Sequence, residues 1–253
     1  MFSQSKIKYV QSLHQKKFRQ KYNKFLVEGT KIASEVLNEK LVPIEMIFAT
    51  ESWIADHKPS LKSVAYETVS VAELKKISCL ETPNQVLIVL EKPEININYS
   101  QTCDTISLYL DGIQDPGNMG TILRIADWFG IKNIFCSPDT VDFQSPKVIQ
   151  ASMGSFLRVQ IIEISLAELK NLMPDTPIFG AVLDGAATNV FELSKQEKEC
   201  GIIVIGNEGG GIRSHNLPHI SNPIFIEKHL GSKAESLNAA IATSIICAIF
   251  RSK

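Results

Sequence analysis

An arginine and an asparagine lie just beyond a tight turn that ends a predicted strand. The turn "DPGN" (residues 115–118) is followed by a predicted helix over 118–129, with Asn118 as its N-cap. Arg124 and Asp127 lie on one face of that helix. A guanidinium in this place can bind an anion or stabilise developing negative charge. The alternative is an exposed Arg124–Asp127 ion pair with no chemical role.

A second candidate is the glycine-rich stretch "IVIGNEGGGI" (203–212), in which a β-branched strand runs into four glycines and one carboxylate. Gly206 and Gly209 would let a ligand approach the backbone closely. The spacing is neither the G-x-G-x-x-G dinucleotide pattern nor a P-loop. Glu208 is either a functional carboxylate or a simple turn residue.

A third candidate is "IEKHLGSKAESLNAAIATSII" (226–246), where a strand that reaches Ile226 gives way to a glycine-containing loop. Ser236, Leu237 and Asn238 then open a predicted helix over 235–251. The start of a helix offers unpaired amides to a ligand. The alternative is a capped helix that belongs only to the core.

These three stretches are positioned by a predicted alternation of short apolar strands and helices. Continuous apolar strands of this kind indicate a parallel sheet covered on both faces, in an α/β fold. Ligands of such sheets bind beyond the carboxyl ends of the strands, which is where the three stretches lie. The predicted strands cover residues 106–113, 133–138, 158–164, 177–183, 201–206 and 222–227, and the other predicted helices cover 145–156 and 165–173.

The amino-terminal part of the chain is predicted to form a smaller α/β domain, residues 1–95. Residues 1–40 are mostly helical in pattern, with a strand or turn at 24–29. Further strands are predicted at 44–50 and 86–90, and a short helix at 69–78. The polar segment 91–105 lacks a helical period and is predicted to be the linker to a second domain, residues 106–253.

Positive charge is concentrated at the start of the chain. Residues 1–31 carry eight Lys or Arg against one acid, although the whole chain has a net charge of −1. Phosphate backbones attract such a segment, and its aromatic residues can stack on exposed bases. The alternative is a solvated amphipathic helix. The candidate RNA-binding residues are Lys16, Lys17, Arg19 and Lys21.

Other features exclude several classes of protein. No signal peptide is recognisable, and the longest apolar tract (237–250) is interrupted by polar residues and too short to span a bilayer. The five scattered cysteines form no CxxC, which indicates a cytoplasmic protein without disulfides or a zinc site. His215 and His219 are separated by a proline and have no suitable acid nearby, so no metal site is expected.

The three candidate stretches resemble, in order, the three motifs of the SpoU (TrmH-like) family of RNA 2′-O-ribose methyltransferases. "DPGNMGTILRIADWFGI" resembles the first, "IVIGNEGGGI" the second and "ESLNAAIATSII" the third. "SPKVIQASMGSFLRV" (145–159) is similar to the segment between the first two motifs. Residues 17–37 resemble the family's substrate-binding domain, which has a ribosomal-protein-like fold. The resemblance therefore covers nearly the whole chain.

The resemblance implies a parallel-sheet SPOUT methyltransferase domain with a trefoil knot, which works as a homodimer and binds S-adenosylmethionine. RNA is the implied partner, ribosomal RNA more than transfer RNA, with no membrane or metal involved. The implied cofactor-binding residues are Gly206, Glu208, Gly209, Ile226, Leu237 and Asn238, and the implied catalytic residues are Asn118, Arg124, Glu208 and Ser236.

The chain departs from the family pattern after Ile226, where Glu227-Lys228-His229 replaces a proline-containing segment. Proline would fix φ there, so a looser cofactor loop is expected. A non-catalytic RNA-binding or ribosome-assembly protein on the same fold is therefore one alternative. A nucleotide-dependent oxidoreductase is another, although the missing G-x-G-x-x-G disfavours it.

The implied reaction requires a ribose 2′-hydroxyl to lose its proton during or before attack. A guanidinium is effectively always protonated, so Arg124 is poorly suited to act as a base. It can instead hold a phosphate, or stabilise alkoxide charge while Glu208 or solvent takes the proton. The sequence does not choose among these roles, nor between Arg124 of the same subunit and that of a partner.

Overall fold

The computed structural model describes residues 2–94, 97–184 and 186–252, and the chain divides into two compact units. The first unit comprises the described residues up to Glu94 together with Asp142–Leu157, and the second comprises the rest. Two residues of the predicted linker, 95 and 96, lie outside the described residues. In the described chain, no helix is both long enough and apolar enough to cross a bilayer.

The first unit is built on a four-stranded mixed sheet. Its strands are β1 (Lys24–Glu28), β2 (Ile44–Ala49), β3 (Tyr66–Thr68) and β4 (Val86–Glu91), in the order β1-β4-β2-β3. Its amino-terminal helices are α1 (Gln4–Ser12), α2 (Lys16–Tyr22), α3 (Thr30–Glu39), α4 (Glu51–His57) and α5 (Val71–Ile77). The predicted strands at 24–29, 44–50 and 86–90 are confirmed. The sequence did not predict β3 or α4.

The second unit is built on a parallel sheet, as predicted, but the sheet has seven strands where the sequence predicted six. The strands are β5 (Ile106–Asp111), β6 (Asn133–Cys136), β7 (Gln160–Glu163), β8 (Ile178–Ala181), β9 (Thr188–Asn189), β10 (Gly201–Gly206) and β11 (Asn222–Phe225). Their order is β7-β6-β5-β10-β8-β11-β9, and every neighbouring pair is parallel. The unit's helices are α6 (Tyr99–Thr102), α7 (Pro116–Trp128), α9 (Leu166–Leu172) and α10 (Ala239–Phe250).

The segment after β6 belongs to the first unit. It contains α8 (Pro146–Ser152), which packs on β1, and Phe156, whose ring contacts that of Phe25 at 5.9 Å. Ile149 and Leu157 are buried in the core of the first unit. The sequence predicts one boundary, within 91–105, whereas the contacts assign 142–157 to the unit that precedes it in the chain. The linker itself also contains the short helix α6, which was not predicted.

Two helix starts differ from prediction. Helix α7 is capped by Asp115, whose carboxylate accepts from the Asn118 amide at 2.7 Å, so Asn118 is inside the helix and is not its N-cap. Pro116 suits the first helical position because it has no N–H to satisfy. Helix α10 begins at Ala239 with Asn238 as its N-cap, so Ser236 lies before the helix.

Candidate functional site

The first and second candidate stretches meet because their strands are neighbours. β5 and β10 pair in parallel with Asp111 opposite Gly206, so the loops that follow them start side by side. The Asn207 side chain joins these loops, since its amide nitrogen donates to the Gly112 carbonyl at 2.7 Å. The carboxyl edge of the sheet therefore brings the first two motifs together, as predicted.

The glycine-rich loop is a closed turn. Asn207 and Gly211 exchange two backbone hydrogen bonds of 3.0 and 2.9 Å, and the Asn207 side-chain oxygen accepts from the Gly209 amide at 2.8 Å. A Cβ on Gly206 would lie 2.1 Å from the Gly211 carbonyl carbon, so only glycine fits there. Gly210 has open space beside it, which leaves its backbone accessible to a ligand.

A chain of side-chain hydrogen bonds links all three candidate stretches. The Asn238 oxygen accepts from the amides of Ala240 and Ile241 at the start of α10. Its nitrogen donates to the Asn118 oxygen at 2.8 Å. The Asn118 nitrogen in turn donates to Glu208 Oε1 at 2.7 Å.

The direction of this chain is set by the backbone. Because the amides of α10 are donors, the oxygen of Asn238 must face them and its nitrogen must face Asn118. The oxygen of Asn118 then faces Asn238, and its nitrogen faces a carboxylate that only accepts when it is ionised. The arrangement thus orients the Glu208 carboxylate from the start of helix α10.

Arg124 stands apart from this chain. Its side chain is exposed, and across the described part of the protein it forms no ion pair. Asp127, the partner in the alternative interpretation, instead binds Arg158 with an Nη2–Oδ2 distance of 2.8 Å. The Arg124–Asp127 pair is therefore contradicted, and Arg124 remains an accessible positive charge on α7.

The residues predicted to bind the cofactor present bare backbone and apolar side-chain surface, which suits a ligand that contains a nucleoside. Gly209 and Gly210 expose backbone without side chains, Leu237 is 47% exposed, and Ile226 is half-buried, so both apolar side chains offer surface to a base. Ser236 is exposed and precedes the helix. Residues 226–238 form neither helix nor strand, apart from a turn at 230–231.

An ion-pair network that the sequence did not reveal supports the same edge of the sheet. Asp111 is fully buried at the end of β5 and accepts from the Arg213 backbone amide at 2.8 Å and from Arg213 Nε at 2.6 Å. Arg213 Nη1 also contacts Asp139 at 2.8 Å. Although burial opposes it, hydrogen bonds from Ser137 and Arg213 hold the pKa of Asp139 below its ordinary value. The one feature of the sequence that points to this ion-pair network is Asp111, a charged residue at the end of an apolar strand.

Three of the four predicted RNA-binding residues are exposed. Lys16, Lys17 and Lys21 lie on the surface of α2, and Lys17 and Lys21 sit over the rings of Phe18 and Tyr22. Those rings stack on each other with centroids 6.2 Å apart.

The prediction for Arg19 is wrong, because its side chain is 4% exposed and pairs with Asp142. It also donates to the carbonyls of Leu13 and His14, each at 2.8 Å. These partners occupy the guanidinium, so Arg19 holds the segment after β6 within the first unit.

In the described part of the chain, no group of three His, Cys, Asp or Glu side chains is placed to hold a metal ion.

Comparisons with known proteins agree with this architecture. The SpoU rRNA Methylase family model matches residues 105–248, and a model of the MRM3-like substrate binding domain matches residues 4–88. The Bacillus subtilis protein RlmP, named as a 23S rRNA (guanosine(2553)-2′-O)-methyltransferase, is 29% identical over 95% of this chain and 94% of its own. The human mitochondrial rRNA methyltransferase 3 is 33% identical over 65% of this chain, which corresponds to 41% of the human protein.

Solved structures show the same fold over almost the whole chain. A TrmH-family protein from Porphyromonas gingivalis superposes with a TM-score of 0.83 at 34% identity, over 99% of this chain and 98% of its own. An rRNA methyltransferase from Sinorhizobium meliloti, solved with AdoMet bound, superposes with a TM-score of 0.86 over 99% and 96% of the two chains. At 22% identity, the second comparison shows the fold alone.

Proposed function

We propose that ribosomal RNA is the substrate of this chain. The chain belongs to the SpoU rRNA Methylase family. It is an RNA 2′-O-methyltransferase that uses S-adenosylmethionine. The observation that carries the site assignment is the hydrogen-bond chain from Asn238 through Asn118 to Glu208. It connects residues of all three motifs and ends on a carboxylate. A site assembled in this way can hold a reacting hydroxyl against a fixed acceptor.

We propose that Glu208 accepts the proton of the ribose 2′-hydroxyl. S-adenosylmethionine, when bound, supplies a methyl group on a positively charged sulfur. A hydroxyl is a weak nucleophile until its proton begins to leave. The Asn118 amide engages Glu208 Oε1, and among the described residues no donor is recorded on Oε2. That oxygen is therefore available to the 2′-hydroxyl, while Asn118 fixes the orientation of the carboxylate.

We propose that Arg124 binds a phosphate of the substrate RNA and so holds the ribose in line for attack. The support is its exposed guanidinium, which is free of intramolecular ion pairs in the described chain. Charge-assisted contacts to phosphate are strong and directional. Ser236, exposed just before α10, is proposed to support the same RNA strand.

The proposed cofactor site comprises Gly206, Glu208, Gly209, Ile226, Leu237 and Asn238. Its support is the bare backbone of the glycine-rich turn together with the partly exposed apolar side chains of Ile226 and Leu237. Gly206 contributes indirectly, because its lack of a side chain lets the turn close.

We further propose a trefoil knot in the second unit and a homodimer formed through it. Family membership supports both. Ile241, half-exposed on the first turn of α10, provides apolar surface for a partner subunit. Sedimentation analysis tests the dimer, and mixing of Arg124→Ala with Glu208→Gln subunits tests whether Arg124 acts across it.

We also propose a cytoplasmic location, which the free thiols of all five cysteines support.

We propose that the first unit binds the RNA through Lys16, Lys17 and Lys21. These exposed lysines accompany the stacked rings of Phe18 and Tyr22, a combination that suits phosphate and base contacts. The second unit is then the catalytic domain.

Transfer of tritium from labelled S-adenosylmethionine to total RNA, followed by nucleoside analysis, tests the proposal. We expect label in a 2′-O-methylated nucleoside of ribosomal RNA. Label in transfer RNA alone would contradict the proposed substrate. If RNA and cofactor bind without transfer, the non-catalytic alternative is supported.

A further inference from the structure

A buried carboxylate in the first unit lacks a charged partner. Glu28, the last residue of β1, is 6% exposed. Its carboxylate accepts from the Ser78 hydroxyl and from the Cys79 amide, the latter at 2.8 Å. Both donors are neutral, and within the described residues Glu28 is in no ion pair. A desolvated carboxylate normally requires further donors.

Glu28 lines a cavity of about 340 Å³ that lies within the first unit. Its walls are largely apolar and include Leu26, Leu80 and Ile149. Lys147 and Gln150, one turn apart on α8, add polar groups. One wall of the cavity therefore comes from residues 142–157. The sequence analysis placed these residues in the second domain, so it did not predict a cavity in the first unit.

The cavity offers no reactive nucleophile. Cys79 also lines it, but partial desolvation of its thiol and the nearby Glu28 raise the pKa of that thiol to about 12. A thiol with that pKa stays protonated near neutral pH and is a weak nucleophile. The residues that line the cavity are therefore suited to binding a ligand, and Glu28 is the buried hydrogen-bond acceptor among them.

We propose that this cavity binds an unstacked RNA base that carries an exocyclic amino group, with Glu28 accepting from that group. The inference rests on the proposed function, since RNA is the ligand. Each carboxylate oxygen has a second lone pair beyond those used by Ser78 and Cys79. An amino group donates to a carboxylate, and the apolar walls contact the faces of a flat ring.

The same chemistry disfavours uracil. In uracil the amino group of cytosine is replaced by a carbonyl oxygen, which would face the carboxylate as acceptor against acceptor. Lys147 is exposed and can bind the phosphate of the same nucleotide. The cavity thus selects bases in the substrate strand, separately from the site of methyl transfer.

Fluorescence anisotropy with labelled ten-nucleotide oligo(C) and oligo(U) tests the proposal. Both probes carry equal numbers of phosphates, so their electrostatic attraction is matched. We expect the wild-type protein to bind oligo(C) about tenfold more tightly than oligo(U), a typical discrimination for one good base contact. Equal affinities would overturn the proposal.

Two variants locate the preference. Ala151→Phe fills the cavity from α8 and should reduce oligo(C) binding to the level of oligo(U). Glu28→Gln should abolish or invert the preference. Ala72→Phe, which adds the same ring at an exposed position of α5, is the matched control and should keep it.

Thermal unfolding and S-adenosylmethionine binding show whether each variant is folded. A folded Ala151→Phe protein that still prefers oligo(C) would refute the cavity as the binding site. Because no methyl transfer is measured, this failure is distinct from failure of the proposed function, which the tritium assay reports.

Discussion

The side-chain nitrogen of Asn118 donates to the carboxylate of Glu208 at 2.7 Å, across 90 positions of sequence. This bond joins helix α7, which follows β5, to the glycine-rich turn after β10. It exists because Asp115 caps the helix, which leaves the Asn118 side chain free to bond outside it.

Asn118→Ala should lower the rate of methyl transfer by about 10²-fold, because Glu208 loses the donor that fixes it. The S-adenosylmethionine dissociation constant should change little. Single-turnover transfer and calorimetry measure the two effects. Thr121→Ala, at an exposed position one turn further along α7, is the control. A rate equal to that of the control would remove Asn118 from the reaction.

Arg124→Ala should also lower methyl transfer by at least about 10²-fold while cofactor binding is retained. The reason is loss of a fixed positive charge that positions the RNA. Arg124→Lys keeps the charge without the planar fork and should recover only part of the rate. Wild-type turnover in the alanine variant would exclude Arg124 from the chemistry.

Replacing Lys16, Lys17 and Lys21 with Gln should weaken RNA binding and flatten its salt dependence. Each lost phosphate contact should reduce the slope of log K against log salt by about 0.7 to 0.9. Filter binding at several salt concentrations measures the slope. The double variant of Lys75 and Lys76, exposed on α5, is the control. An unchanged slope would mean that α2 is only a solvated helix.

Arg213→Met should destabilise the second unit, because Asp111 would remain buried with the loss of its cation. The free energy of unfolding should fall by about 3 kcal/mol. This is the low end of the range for a broken buried ion pair, because the Arg213 side chain is 32% exposed. Urea unfolding measures it, with Lys195→Met, at an exposed position of the same unit, as the control. A cost within the error of that control would show that Asp111 does not depend on Arg213.

Asp139→Asn should make stability less sensitive to acid. The pKa of Asp139 is lowered by Ser137 and Arg213 against the opposing effect of burial, so its stabilisation is complete above the ordinary value of 3.8. It is lost as the pH falls through the lowered value. Between about pH 5 and pH 2, the free energy of unfolding should therefore fall less steeply with decreasing pH in the variant than in the wild type. Equal steepness would contradict the role of Asp139.

Local patterns were sufficient for most of the elements. The apolar runs predicted β5, β10 and the parallel sheet, because a strand covered on both faces has few polar positions. The helix predicted at 165–173 is confirmed as α9, and a capping box of Ser165 and Glu168 begins it. Short elements with little periodicity, such as β3 and β9, gave no usable pattern.

Arg19 shows where local patterns fail. Its neighbours Lys16, Lys17 and Lys21 are exposed, and composition alone groups all four as one basic surface. The partner that buries Arg19 is Asp142, which is 123 positions away. The unexpected cap at Asp115 has a different cause, because Asp and Asn are nearly equal as N-caps and the sequence offers both.

By itself, the sequence determined the family, the chemical groups available and the edge of the sheet at which they gather. Only the tertiary structure decided which groups face one another: Asn118 with Glu208 and Asn238, Asp111 with Arg213, and Glu28 with a cavity walled by α8. The physical reason is that periodicity reports which face of an element is buried. The partner of a polar side chain depends on contacts between segments far apart in the chain, which are fixed only when the sheets and helices pack.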